Sequence, residues 1–214
     1  MSNLTIALPK GKLHIDALQM LDKIGFPVTG VSDEARTLRF EFPEQEVTYI
    51  MARPTDVPTY VEYGAADLGV VGKDVIEEQD KDVYEMADLG FGYCRFVVAV
   101  PKSGGFNRLA DLNYRRVATK FPHVADKYFR DCGLQVEVIK LHGNIELAPQ
   151  MGLADAIVDI VSTGRTLKEN NLQEMVTIME STARLVVNRI SYRTHYQRVL
   201  SLIQELNRMA KEVK

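Results

Sequence analysis

Ser162-Thr163-Gly164-Arg165-Thr166 follows the run Asp155-Ala156-Ile157-Val158-Asp159-Ile160-Val161. Such a turn, placed between a strand and a helix, offers successive backbone N–H groups, the hydroxyls of Thr163 and Thr166, and a glycine that tolerates positive φ. With the dipole of the helix it opens, that is a phosphate site. Asp155 and Asp159 lie four apart, which on a strand puts them on one face. Carboxylates beside a phosphate would repel it unless they serve another group, and ribose hydroxyls or a bound Mg²⁺ are the natural candidates. The stretch therefore predicts a sugar phosphate. Taken alone, it reads slightly better as a Thr-capped helix start after a buried strand. Lys10, between Pro9 and Gly11 at the end of an apolar run, is a second phosphate candidate, because that turn also exposes N–H groups. Arg53 precedes Pro54 and so sits extended at a strand end.

The elements that must position these residues alternate along the chain. Leu4–Leu8 reads as a strand stopped by Pro9, and Leu13, Ala17, Met20, Leu21 and Ile24 repeat at helical spacing. Alternation at Leu38, Phe40, Phe42 and at Val47, Tyr49, Met51 predicts a hairpin around Pro43 to Glu46. Thr55 or Asp56 is placed to cap a helix through Tyr63, with Gly64 as its stop. Further strands are predicted at 67–71, 96–100, 116–119, 136–141 and 156–161, with helices at 74–78, 123–132 and 146–151 and a last amphipathic helix over 195–214. Gly64-Ala65-Ala66-Asp67-Leu68-Gly69-Val70 and Gly152-Leu153-Ala154-Asp155-Ala156-Ile157-Val158 share the pattern G-x-A-D-x-x-V. The echo fits two similar lobes, and it fits equally two unrelated helix-to-strand turns. Alternating strands and helices predict an α/β chain with mostly parallel sheets. Its ligands are expected in a cleft between two lobes, at the carboxyl ends of strands.

Composition excludes several classes. The 214 residues carry a net charge of −3 and no Lys/Arg-rich run, so no nucleic-acid footprint is present. No apolar run approaches the roughly 20 residues of a membrane span. Cys94 and Cys132 are the only cysteines, which implies no disulfide framework. The opening MSNLTIALPKGKL lacks the layout of a signal peptide, so a cytoplasmic chain is expected. The four histidines show no metal-ligand spacing and read as structural or surface residues.

The spacing from Glu146 through Gly152, Ala154, Ile157, Asp159, Thr163, Gly164, Thr166 and Leu167 resembles the signature of the ATP phosphoribosyltransferase family. Leu8-Pro9-Lys10-Gly11-Lys12, Arg53 through Val61, Ala118-Thr119-Lys120-Phe121-Pro122 and Val187 through Arg193 resemble four other family stretches in the right order. Asn144 stands where Ser is usual, and Lys12 where Arg is common; Lys cannot reproduce the fork of Arg.

The resemblance implies a two-lobed, type II periplasmic-binding-protein-like fold, with lobe I at 1–92 plus 185–214 and lobe II at 93–184. It implies transfer of the phosphoribosyl group of phosphoribosyl pyrophosphate (PRPP) to N1 of ATP. PRPP would be held by Glu146, Asp159, Ser162, Thr163, Gly164, Arg165 and Thr166, within the turn 159–167. ATP would be held by Lys10, Gly11, Lys12 and Asp67, with Arg53, Lys10 and Arg36 as catalytic cations. Mg²⁺ would enter with PRPP and ATP, with Asp159 its candidate contact through Mg-PRPP. Because no C-terminal histidine-sensing domain is visible, the chain resembles the short form, expected to self-associate and to work with a subunit similar to histidyl-tRNA synthetase. The competing reading is a two-lobed module that binds a small anion or effector without chemistry. Paired carboxylates before a phosphate cradle speak against it.

Overall fold

A computed structural model describes residues 3–212. In chain order the elements are β1 (Leu4–Pro9), α1 (His14–Lys23), β2 (Arg39–Phe42), β3 (Val47–Ala52), α2 (Val57–Glu62), β4 (Leu68–Gly72), α3 (Lys73–Gln79) and β5 (Tyr84–Asp88). There follow β6 (Cys94–Pro101), β7 (Arg116–Thr119), α4 (Pro122–Asp131), β8 (Glu137–Lys140), α5 (Leu147–Gln150), β9 (Ala156–Val161), α6 (Arg165–Glu169) and β10 (Leu172–Ser181). The chain ends with β11 (Ala183–Val187), α7 (Arg189–Thr194) and α8 (Tyr196–Glu212); the last two residues of the predicted helix, 213–214, lie outside the described residues. Contacts divide the chain into two units, Met1–Gly92 with Thr182–Lys214, and Tyr93–Ser181. The second passage therefore falls at Thr182 rather than 185, because β11 lies wholly in the first unit.

The first unit holds a sheet ordered β2-β3-β1-β4-β11-β5, and the second one ordered β10-β6-β9-β7-β8. Both are mixed. β3, β1 and β4 run parallel, as do β9, β7 and β8, because helices or long crossovers join them. The strands on the other ladders pair antiparallel. Alternate residues of the central strands feed two cores. Leu4, Ile6 and Leu8 of β1 pack with Ala17 and Leu21 of α1 and with Val199, Leu202 and Leu206 of α8, while Ala7 packs with Val57 and Val61 of α2. In the second unit Phe96, Val98 and Val100 of β6 pack with Phe129 of α4, and Val97 and Ala99 with Leu167 of α6.

β5, β10 and β11 have no counterpart among the predicted strands, and each has a local cause. Register shifts between Glu174 and Val176 and between Thr177 and Met179 break the period-two pattern of β10. β5 and β11 carry charges inside the sheet, matched across strands: Arg184 of β11 meets Asp88 and Glu85 of β5 at 3.1 and 3.5 Å. Asp56 stands at the N-cap of α2 without a side-chain capping bond, so the expected cap is absent.

The G-x-A-D-x-x-V echo has one structural meaning in both units. Gly64 and Gly152 close a turn in the left-handed region, at φ 71° and 68°. Asp67 N–H then donates to Thr5 C=O at 2.8 Å while Thr5 N–H donates to the Asp67 carboxylate at 2.8 Å. Asp155 repeats the clamp on Arg116, at 2.8 and 3.0 Å. Asn188 extends this scaffold. It is buried, its Nδ2 donates to the Val61 and Glu62 carbonyls at 2.7 and 3.2 Å, and its Oδ1 accepts from Ile190 and Ser191 N–H at the head of α7. Asn188→Ala removes an N-cap and strands buried carbonyls, so it should cost about 2–4 kcal/mol. Urea unfolding measures this; a loss under about 0.5 kcal/mol would reject the staple.

Candidate functional site

In the second unit the carboxyl ends of β9, β7 and β8 lie on one edge, since Thr119 pairs with Val158 and with Lys140. Thr119 sets the exit of β7. Its buried hydroxyl donates to Val158 C=O at 2.8 Å and accepts from Phe121 N–H at 2.9 Å, so the chain turns off the sheet at Lys120, level with Asp159. Pro122 then opens α4. The loop after β8 brings Glu146 to the same edge. A cavity of about 380 Å³ results, lined by Lys120, Phe121, Glu146, Asp159 and the whole turn from Ser162 to Leu167.

Gly164 is the N-cap of α6 and takes φ 74°, ψ 2°, a conformation that disfavours any residue with a Cβ. No side chain caps α6. Its first-turn N–H groups have no intrahelical acceptor and border the cavity. All seven residues expected to hold PRPP therefore share one cavity. Lys120 and Phe121 join them without having been singled out. A cation one residue past a strand and two before a helix-opening proline was the signal available.

Asp159 is the strained member. Burial raises its pKa from the ordinary 3.8 to about 6, with the Glu146 charge adding to the rise; the Ile160 N–H and the Lys120 ammonium oppose it. A carboxylate held where its charge is disfavoured is waiting for a partner such as a hydroxyl donor or a cation. Asp155 is not its companion. It precedes β9 at the amino edge, roughly 13 Å along the strand at about 3.3 Å per residue, where its carboxylate is committed to Arg116. One face of a strand is not one site.

In the first unit the carboxyl edge gathers cations. Pro9 pairs with Ala52, and Lys10 N–H donates to Ala52 C=O at 2.8 Å, so Lys10 and Arg53 are the neighbouring first residues past β1 and β3. Met51 N–H donates to Leu38 C=O at 2.8 Å, so the chain entering β2 runs beside the end of β3, and Arg36 lies two residues before Leu38, in a bend. Gly11 N–H donates to the Asp33 carboxylate at 3.0 Å, tying the Lys10–Lys12 loop to the segment bearing Arg36. That bond, aided by His14 and Lys10, holds the Asp33 carboxyl below its usual range. Asp33 carried no signal in the sequence, since its partner is a backbone group. Asp67 does not belong with these residues. It sits at the amino end of β4, where it clamps Thr5 and accepts from the Ser191 hydroxyl at 2.6 Å. Same-sheet residues at opposite strand ends do not meet. His14 is buried rather than on the surface, and its ring nitrogens have no partner among the described residues.

Residues 53–208 match the family model for ATP phosphoribosyltransferase, "HisG". The chain belongs to the ATP phosphoribosyltransferase family. It is 60% identical over 207 residues to the ATP phosphoribosyltransferase of Syntrophomonas wolfei, covering 97% of this chain and 95% of that one. With that of Moorella thermoacetica it shares 61% over 212 residues, covering 97% and 93%. Among solved structures, the ATP phosphoribosyl transferase (HisG:HisZ) complex from Thermotoga maritima aligns with TM-score 0.81 at 36% identity, covering 98% of this chain and 99% of that one. The substrate binding protein of an amino acid ABC transporter aligns with TM-score 0.62 at 16% identity, covering 99% and 93%, a likeness of fold alone.

An ATP phosphoribosyltransferase joins the phosphoribosyl group of PRPP to N1 of ATP and releases pyrophosphate, the first step of histidine biosynthesis, and this is the activity of the chain. The binding module without chemistry is thereby set aside. Among the described residues no helix is long and apolar enough to cross a membrane. No group of three or more His, Cys, Asp or Glu among them could hold a metal ion.

The Asp159 shift has a sign that can be tested. Below pH 4 the carboxyl is protonated folded and unfolded; between about 4 and 6 only the folded state keeps the proton; above 6 both are ionised and the folded state carries the burial cost. Stability is thus lost as pH rises through that window. Asp159→Asn should stabilise the ligand-free protein by roughly 2 kcal/mol at pH 7.5 and by little at pH 4. Urea midpoints at the two pH values measure it; equal effects would contradict the burial cost.

Proposed function

We propose that the turn Ser162–Thr166 takes the 5-phosphate of PRPP, with the ribose hydroxyls on Asp159 and Glu146 and Lys120 as a further cation of the same cavity. The observation that supports this most is the junction of opposite needs in one cavity: N–H donors around Gly164 for an anion, and a partly buried Asp159 with a raised pKa for hydroxyl groups. Lys10, Arg53 and Arg36 take phosphate groups of ATP or the departing pyrophosphate, and Gly11 and Lys12 complete the loop that presents Lys10.

The chemistry asks little covalent work of the protein. Adenine N1 is already a nucleophile, and the C1–pyrophosphate bond breaks as the ribose ring becomes oxocarbenium-like. The charge growing on pyrophosphate is the expensive term, met by preorganised cations and N–H donors. Mg²⁺ fits as a companion of the substrates rather than as a resident ion. It is bound through one or two carboxylates plus substrate phosphates, and Asp159 with Glu146 is such a pair. When bound it supplies neutralising charge to the pyrophosphate. The Thermotoga maritima relative was solved as a HisG:HisZ complex, which supports a second, regulatory subunit for this chain. A biosynthetic step fed by ATP and PRPP is in keeping with a cytoplasmic site.

Gly164→Val forces a β-branched residue into the left-handed region and crowds the phosphate. It should raise the PRPP dissociation constant about tenfold or more, the equivalent of one charge-assisted hydrogen bond. Calorimetric titration decides; unchanged affinity in a folded variant rejects the phosphate turn. Arg53→Ala should lower kcat by about 10²–10³ with a smaller change in KM, as for loss of one preorganised donor. Arg53→Lys should recover part of that loss, since the charge survives but the fork does not. Arg53 is exposed and extended before Pro54, so both variants should fold. Wild-type turnover in folded Arg53→Ala would move the pyrophosphate contact to Lys10 or Arg36.

A further inference from the structure

Arg95 and Glu174 form an ion pair beside the phosphate turn that the reaction chemistry above does not use. Arg95 pairs in register with Val161, the last residue of β9, so it stands one strand away from Ser162. Its direct neighbour on β10 is Glu180, yet that carboxylate accepts from the Tyr93 hydroxyl at 2.9 Å. Arg95 instead runs along the sheet, and its Nη2 donates to both oxygens of Glu174 at 2.6 and 2.9 Å. Glu174 is level with Ala99, four residues farther along β6, at the edge of the first register shift of β10. Bulges re-aim side chains. Here the result is a carboxylate against the glycine of the turn: a Cβ placed on Gly164 would lie 3.4 Å from Glu174 Oε1.

A negative charge at that place opposes a phosphate on the same turn, and partial burial weakens solvent screening. The two side chains keep 30% and 33% exposure. Nε of Arg95 is buried with no partner among the described residues, so the guanidinium is held there although the surroundings do not fully satisfy it. A merely stabilising ion pair would gain from better satisfied surroundings.

We propose that Arg95 is a positioning residue for phosphate recognition, cancelling the Glu174 carboxylate that abuts Gly164 so that the turn accepts a phosphate dianion. The inference rests on the reading of this turn as the PRPP site. Removing Arg95 exposes the phosphate to an uncompensated carboxylate, and removing both charges restores neutrality.

The test is PRPP binding by Arg95→Met, Glu174→Gln and the double variant, by calorimetric titration with Mg²⁺ at pH 8. Arg95→Met should weaken PRPP by about tenfold, and Glu174→Gln should hold or tighten it. The double variant should return to within about threefold of wild type, a coupling in the range of residues sharing an ion-pair network. Urea midpoints report the structural part separately, and Arg95→Lys, which keeps the charge, should bind PRPP nearly as wild type even if Arg95→Met folds poorly. Wild-type affinity in Arg95→Met, a double variant as weak as Arg95→Met, or an Arg95→Lys as weak as Arg95→Met would each overturn the proposal. Gly164→Val separates the two readings. If it leaves PRPP affinity intact, the phosphate turn itself is misplaced; if it abolishes binding while the Arg95 and Glu174 effects simply add, only the positioning role fails.

Discussion

The clamp of Asp67 on Thr5, and of Asp155 on Arg116, is the constraint on which both candidate edges depend. Each aspartate takes the N–H and returns its own N–H to the C=O of one residue on the neighbouring parallel strand. Parallel strands have no hairpin to fix their offset, and a slip by one residue would flip every side chain to the other face. Fixing the amino ends therefore fixes what arrives at the carboxyl ends. Lys120 comes out level with Asp159 because Thr119 is opposite Val158, and that register runs back to Arg116 and Asp155.

The two edges differ in how they treat charge. In the first unit Lys73, past β4, is committed to Glu77 and Glu85, whereas Lys10 and Arg53 stand at the open end of the paired strands. In the second unit the partly buried Asp159 has its charge disfavoured, and it lines one cavity with a glycine in the left-handed region. Folding alone would be served better by a neutral residue than by Asp159. The sheet beneath is apolar, with Val97, Ala99 and Ile157 in its core.

Family stretches turn out to be of two kinds. The segment 162–166 surrounds a cavity, while Asn188 and Ser191 of the Val187–Arg193 stretch bind carbonyls of α2 and the Asp67 carboxylate. Resemblance alone cannot separate them, because a buried staple and a ligand contact both require a particular polar residue at a particular place. The resemblance implies a nucleotide contact at Asp67, whereas its carboxylate is bound to Thr5 N–H and the Ser191 hydroxyl. Lys120 lies within a family stretch, yet a lone exposed lysine in a sequence looks like any solvated one.

The amino-acid sequence by itself determined the strands with clean period-two or fully apolar runs, the helices with a stripe, the glycine turn between β9 and α6, and the family. These are local or near-local signals: a Cβ-free residue at a strand end, a proline opening a helix, apolar residues two or four apart. Tertiary structure decided the rest. It put Asp155 and Asp159 at opposite ends of one strand, paired Asp33 with a backbone N–H from another loop, and drew β5, β10 and β11 into sheets by cross-strand charges and bulges that no single segment displays. It also turned Glu174 toward Gly164 and set Arg95 against it, both outside the quoted family stretches. Such contacts depend on register between distant segments, and register is an energy of pairs, which a sequence lists one residue at a time.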